Sequence, residues 1–273
     1  MKFPIAFSLA LSVFAVSCAN NQKGSGDNDS FRTENIKFDR VAIASYGTEC
    51  VASIDIDYPV PNGSVLGDSV REWIVSNINS YDGLIDVVMS SHPSATLTDG
   101  KFVVDAVGSL LLDSAVVQVD DMQKYFGDQM PGYEYIYKYS RGYENDTVLT
   151  YNASVYRYLG GAHGGETISD ATFVRDSGLR LTWDNMFVAG YERKLLPLIK
   201  RGLMTQYFDV DTETELADCL LVSVDELTLP SAAPCYEADG VKFTYQQYEI
   251  APYSAGHPTC TIPYADLVGI LRR

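Results

Sequence analysis

From Val51 to Tyr58, apolar and polar residues alternate: Ile54, Ile56 and Tyr58 fall on one face, Asp55 and Asp57 on the other. A period of two marks a half-buried strand, and Pro59, Pro61, Asn62 and Gly63 end it. The period then lengthens. Val70, Trp73, Ile74, Asn77 and Ile78 recur at helical spacing, which predicts a helix over 65–79 with Ser64 as its N-cap. Residues 82–93 read as helix then loop, with His92 in the loop before Pro93. A second helix spans about 99–126, with Phe102, Val103, Ala106, Val107, Leu110 and Leu111 inward and breaks expected near Asp113 or Asp120. The short period returns at Tyr133, Tyr135, Tyr137 and Tyr139, opposite Glu134, Ile136 and Lys138. A turn at 142–146 and a strand over 148–158 complete an antiparallel hairpin. The tyrosine row reads as a packed sheet face with hydroxyls at its rim, or as a surface for stacking carbohydrate.

The second half repeats these themes. A tight turn, Gly160-Gly161-Ala162-His163-Gly164-Gly165, leads to a strand over 167–174, a turn at Asp176-Ser177-Gly178 and a short strand over 179–182. Residues 183–187 form a short turn or helix. A helix over about 192–208 turns Leu195, Leu196, Ile199, Leu203, Met204 and Tyr207 inward, with Pro197 in its first turn or kinking it. Thr212 and Glu215 have the spacing of a capping box and start a helix over 212–221. Strands over 241–249 and 259–262 follow, and Pro263 opens a closing helix. The expected fold is α+β, in two lobes of mostly antiparallel sheet packed with helices: residues 31–165 and residues 166–273.

The first 30 residues belong to neither lobe. Residues 1–17 read as a signal peptide, with Lys2 followed by an apolar core over 5–16, too short for a spanning helix of about 20 residues. That core ends at Ala15-Val16-Ser17-Cys18, which resembles a bacterial lipobox with Ala where Leu is usual. Cys18 is then the lipidation site, and residues 18–30, rich in Asn, Gly, Ser and Asp, are a flexible tether. The expected location is the bacterial cell envelope, held at the membrane by lipid, periplasmic or surface-exposed.

Composition narrows the function. Hydrophobic residues make up 46% of the chain, which excludes a largely disordered protein. A net charge of -16 excludes nucleic acid as partner and attracts cationic proteins at long range, although it also serves solubility alone. Cys50, Cys219, Cys235 and Cys260 suggest two disulfides, Cys219–Cys235 and Cys50–Cys260, with buried free thiols as the alternative. No zinc-site spacing occurs, three histidines are too few for a His-rich metal site, and no cofactor motif is present.

Candidate chemistry is sparse, and no catalytic residue is assigned. The glycine turn has no following Lys and Ser or Thr, so it is not a phosphate loop. His163 is a general base if an acid lies within reach, with Glu166 and Asp170 nearest in sequence. The simpler reading bonds its ring to a backbone carbonyl inside the turn. Ser254 and His257 flank Gly256 without a nucleophile elbow.

Four ordered motifs carry a family resemblance. They are 158–164, 178–187, the run 248–256 (Tyr248-Glu249-Ile250-Ala251-Pro252-Tyr253-Ser254-Ala255-Gly256), and Ile262-Pro263-Tyr264. Together they resemble the extracytoplasmic domain pair of unknown function shared by the lysozyme-sensing anti-sigma factor RsiV and the non-catalytic part of the peptidoglycan deacetylase PdaC. The resemblance implies a binding module whose partner is a cationic protein such as a lysozyme, or a cell-wall component. It implies neither signalling nor deacetylation, and marks Tyr158, Gly160, Gly161, His163, Gly164, Tyr253 and Gly256 as candidate binding or turn residues. The alternative function is a cell-wall glycan hydrolase or transferase using His163 with a nearby carboxylate.

Overall fold

The structure, a computed structural model, describes residues 31–272. The signal peptide, Cys18 and the tether lie outside the described residues. The fold is α+β, with helices packed on two mostly antiparallel sheets.

The larger sheet opens with β1 (Thr33–Ile43) and β2 (Glu49–Pro59), antiparallel with Phe38 opposite Ile54. The sequence reading missed β1, because its outward face carries Asn35, Lys37, Asp39, Val41 and Ile43 and only Ile36 and Phe38 are deeply buried. After β2 the chain leaves the sheet through α1 (Val65–Asn79), α2 (Leu84–Ser91) and α3 (Gly100–Phe126), then returns as β3 (Glu134–Glu144) parallel to β2. This crossover makes the one parallel pair among the described residues, because parallel neighbours need a long return path. Ser64 caps α1 by accepting from the Gly67 N–H, and Asp99 caps α3 by accepting from the Phe102 N–H. Neither Asp113 nor Asp120 breaks α3. Its stripe of Val103, Val104, Val107, Leu111, Leu112, Ala115 and Val119 is continuously buried and packs on β1 and β2. That burial marks α3 as a core helix, although its length and apolarity would suffice to cross a membrane.

The hairpin of β3 and β4 (Val148–Tyr158) settles the role of the tyrosine row. Tyr133, Tyr135, Tyr137 and Tyr139 are all buried, so the row is core and offers no face to carbohydrate. The Tyr139 hydroxyl donates to Asn77 Oδ1 at 2.6 Å, and the β4 residue Tyr151 donates to the Asp57 carbonyl at 2.9 Å. Trp73 of α1 meets Tyr139, Tyr151 and Phe173 edge-on, at 5.9, 6.1 and 5.9 Å between centroids.

The sheet does not stop at residue 165. β4 pairs with β5 (Gly165–Ile168) along its last residues and with β6 (Ala171–Val174) along its first, and β7 (Arg180–Leu181) adds to β6. At the break between β5 and β6, the Asp170 carboxylate accepts from the Ala153 N–H at 2.9 Å in place of a peptide carbonyl.

The smaller sheet is β8 (Cys235–Tyr236), β9 (Gly240–Thr244) and β10 (Thr259–Pro263). After the single turn α4 (Trp183–Met186), helix α5 (Glu192–Gly202) packs Leu195 and Ile199 on this sheet with Phe243, Val241 and Ile262. α5 begins at Glu192, so Pro197 lies past the first turn, and the helix widens into a π-turn over Leu203–Phe208. The capping box forms at α6 (Glu213–Cys219): the Glu215 N–H donates to Thr212 Oγ1 and the Thr212 N–H to Glu215 Oε2. After Pro263 the chain makes a single 3-10 turn, Tyr264–Leu267, in place of the expected helix.

The two expected disulfides are absent, and all four cysteines are free thiols. Cys50 is buried in the larger core and Cys260 in the smaller one. Cys235 is buried beside Thr172, whereas Cys219 is half-exposed at the end of α6. The pairings failed because strand partners, not loop length, decide which thiols meet.

Candidate functional site

β4 ends at the glycine turn, and that turn meets the loop between β9 and β10. Gly164 lies under the Tyr156 ring, where an added Cβ would come within 2.4 Å of ring atoms. The close approach fixes the turn and throws His163 outward. Gly160 holds a left-handed φ of 72°, and Tyr158 closes the turn by donating its hydroxyl to the Gly161 carbonyl at 3.0 Å.

His163 reaches the segment after β9. Its Nδ1 lies 2.9 Å from the Gly164 carbonyl and its Nε2 lies 3.1 Å from the Tyr248 hydroxyl. Its ring stacks on Tyr253 at 3.8 Å between centroids and 20° between planes. Gly256, with φ 69°, follows the single turn that carries Tyr253. The candidate residues His163 and Tyr253 are therefore brought together, with Tyr158, Gly160, Gly161 and Gly164 shaping the turn and Gly256 shaping the facing loop.

Tyr248 belongs to the same cluster. It sits 6.1 Å from His163 and 5.8 Å from Tyr253 between centroids, and the residue is 53% exposed. Its backbone is left-handed, with φ 65°, a conformation costly for a bulky residue. Such an outlier persists only where the surroundings hold it, and it is a common mark of a working site.

An open groove of about 380 Å³ runs beside these rings, lined also by Tyr81, Arg157, Glu166 and Gln247. Arg157 pairs with Asp82 at 2.7 Å, and its guanidinium lies over the Tyr81 and Tyr135 rings at 5.8 Å from each centroid. Two glutamines close the far wall. Gln246 accepts from the Ile168 N–H at 3.0 Å and donates to the Ile168 carbonyl at 2.8 Å, and Gln247 accepts from the Glu166 N–H at 2.8 Å. The free edge of β5 is thus completed by side-chain amides.

The carboxylates do not serve His163. Glu166 turns to His257, with its Oε2 3.8 Å from the imidazole Nδ1, while His257 Nε2 bonds the Glu166 carbonyl. Asp170 pairs with Lys242 of β9 at 2.8 Å, and Glu237 adds a second contact at 3.3 Å. Burial would lower the Lys242 pKa, but the facing Asp170 and Glu237 win and raise it. Lys242 is a charged pin between the two sheets, reinforced by the Tyr236 N–H donating to Thr172 Oγ1 at 2.9 Å. Ser254 and His257 form no triad: His257 is engaged by Glu166. Among the described residues, no group of three or more His, Cys, Asp or Glu is placed to hold a metal ion.

Sequence reasoning missed Tyr248, Gln246, Gln247, Arg157 and Tyr81 as site residues. Tyr248 and Tyr253 stand in one run of the resemblance, five positions apart, but nothing local signals the left-handed backbone of Tyr248. The others come from distant strands and loops.

No curated protein matches the sequence. A solved DUF3298-family protein from Bacteroides fragilis NCTC 9343 is similar in fold, with TM-score 0.73 and 19% identity over 89% of this chain and 94% of that chain. Another, from Pseudomonas aeruginosa PAO1, has TM-score 0.58 and 19% identity over 89% of this chain and 95% of that one. Residues 184–265 match the family described as "Protein of unknown function (DUF3298)". The matched residues take in the smaller sheet, α5 and the Tyr248–Tyr253 face of the groove, so this part of the chain is similar to that family.

Proposed function

We propose that this protein is a lipid-anchored binding protein of the bacterial envelope that holds its ligand in the groove between the larger sheet and the loop after β9 without transforming it. One observation carries the reading. Three separate segments, the turn at 160–164, the edge of β5 and the loop at 246–257, converge to hold His163, Tyr248 and Tyr253 on one groove, with Tyr248 kept in a costly backbone state. The catalytic alternative has no comparable support, because the carboxylates nearest His163 in sequence are engaged by His257 and Lys242.

The finer reading takes a cationic protein such as a lysozyme as the partner, and the resemblance to the RsiV and PdaC domain pair supports it. The charge of -16 supports it too, through steering that weakens as salt screens it. Calorimetry with lysozyme at low and high ionic strength tests this. Binding that weakens with salt and is reduced by Tyr248→Asn supports it. No heat at low salt overturns the lysozyme version.

A further inference from the structure

We infer that the groove's ligand is the flat face of an uncharged sugar ring in a glycan chain, seated on the platform made by the outer face of the His163–Tyr253 stack and the Tyr248 ring beside it. This rests on the binding reading above and sets a glycan in the groove in place of the cationic protein of its finer version.

The ring geometry decides between ligand chemistries. The three planes are tilted by only 20°, 31° and 33° from one another. His163 and Tyr253 cover one another's faces at 3.8 Å, so the near-parallel set offers a ligand the outer face of that stack with the Tyr248 ring beside it. A cage for an ammonium group needs walls that converge around the cation. A pyranose has the complementary shape: a flat face of C–H groups that lies on aromatic rings, and a rim of hydroxyls that takes hydrogen bonds.

Charge points the same way. Arg157 already sets its own cation over Tyr81 and Tyr135, which disfavours a second cation there. Arg157 is itself neutralised by Asp82, and Glu166 also lines the groove, so an anionic ligand meets no unpaired cation among these groups. What remains is a neutral, polar, ring-shaped ligand. The volume of about 380 Å³ falls in the range of small-ligand sites, roughly 300–1,000 Å³. The groove is open, so a longer chain can run through it.

Tyr248 explains the strain. A left-handed glycine at this position would relieve the backbone but remove the outer step of the platform. Exposed and strained at once, the ring contributes little to the core.

The test is calorimetry of the purified chain with chitotetraose and cellotetraose, in the wild type and in Tyr248→Asn and Tyr253→Leu. Asn tolerates the left-handed backbone, so Tyr248→Asn keeps the fold; far-UV circular dichroism checks this. The expected result is binding of at least one oligosaccharide, weakened about tenfold by Tyr248→Asn. A parallel arm captures proteins and glycans from envelope extract with wild type and Tyr248→Asn. No binding of either oligosaccharide at millimolar concentration, with extract capture still dependent on Tyr248, overturns the sugar and leaves the binding groove standing. Loss of both overturns the binding reading as well.

Discussion

Replacing Gln246 by alanine should uncouple β5 from the smaller sheet. In the structure the Gln246 amide takes the place of a neighbouring strand, accepting from the Ile168 N–H at 3.0 Å and donating to the Ile168 carbonyl at 2.8 Å. Alanine removes both bonds and leaves a half-buried peptide edge without its partner. Each hydrogen bond contributes about 1 kcal/mol net, so the loss is about 2 kcal/mol. For local opening this amounts to about 30-fold. The assay is amide hydrogen exchange resolved to Ile168, together with thermal unfolding. Gln247→Ala removes only the bond to the Glu166 N–H and should cost about half as much. Gln246→Glu keeps an acceptor for the N–H but sets a carboxylate against the Ile168 carbonyl, and should be at least as damaging as alanine. If Ile168 exchanges at the same rate in Gln246→Ala as in wild type, the side-chain clamp contributes nothing and the reasoning about the groove wall fails.

Other outcomes follow from the packing. Trp73→Ala empties a site ringed by Tyr139, Tyr151 and Phe173 and should destabilise the protein by about 3–5 kcal/mol in denaturant unfolding. Gly108→Ala in α3 would put a Cβ 2.4 Å from the Phe38 ring. An overpacking cost of about 1–3 kcal/mol should outweigh the helix-propensity gain of about 1 kcal/mol, and the midpoint of unfolding reads the balance. Burial pushes the Cys235 and Cys260 thiols up to about 12, so neither should react with iodoacetamide at pH 8 until the protein is denatured, whereas Cys219 should label in the native state. The folded chain holds these two protons above pH 9, where the unfolded chain releases them. Stability should therefore fall as pH rises from about 9 to 12, measured by denaturant midpoint against pH.

Periodicity and end signals made most of the fold readable along the chain. The Ser64 cap, the apolar stripe of α1, the span of α3, the hairpin of β3 and β4 and the capping box at Thr212 all depend on neighbours within a few residues, and each sits where the pattern places it, although Phe102, Ala106 and Leu110 of α3 are only half-buried. β1 did not, because an edge strand with a charged outward face and only two deeply buried apolar residues leaves too weak an alternation. The thiols were misread for a related reason: a disulfide depends on which strands become neighbours, and Cys50 and Cys260 belong to different cores.

The site divides the same way. Local chemistry marked the glycine turn and His163 bonded to a carbonyl beside it, and the family resemblance marked Tyr253. Tertiary structure decided the rest. It laid β5–β7 on the larger sheet, turned Glu166 towards His257 and Asp170 towards Lys242, completed the β5 edge with Gln246 and Gln247, and brought Tyr248 across 85 residues to His163. The reason is range. Caps and stripes are contacts a few residues long, written in sequence, whereas a groove between one sheet and a loop of the other half exists only after both have formed and met.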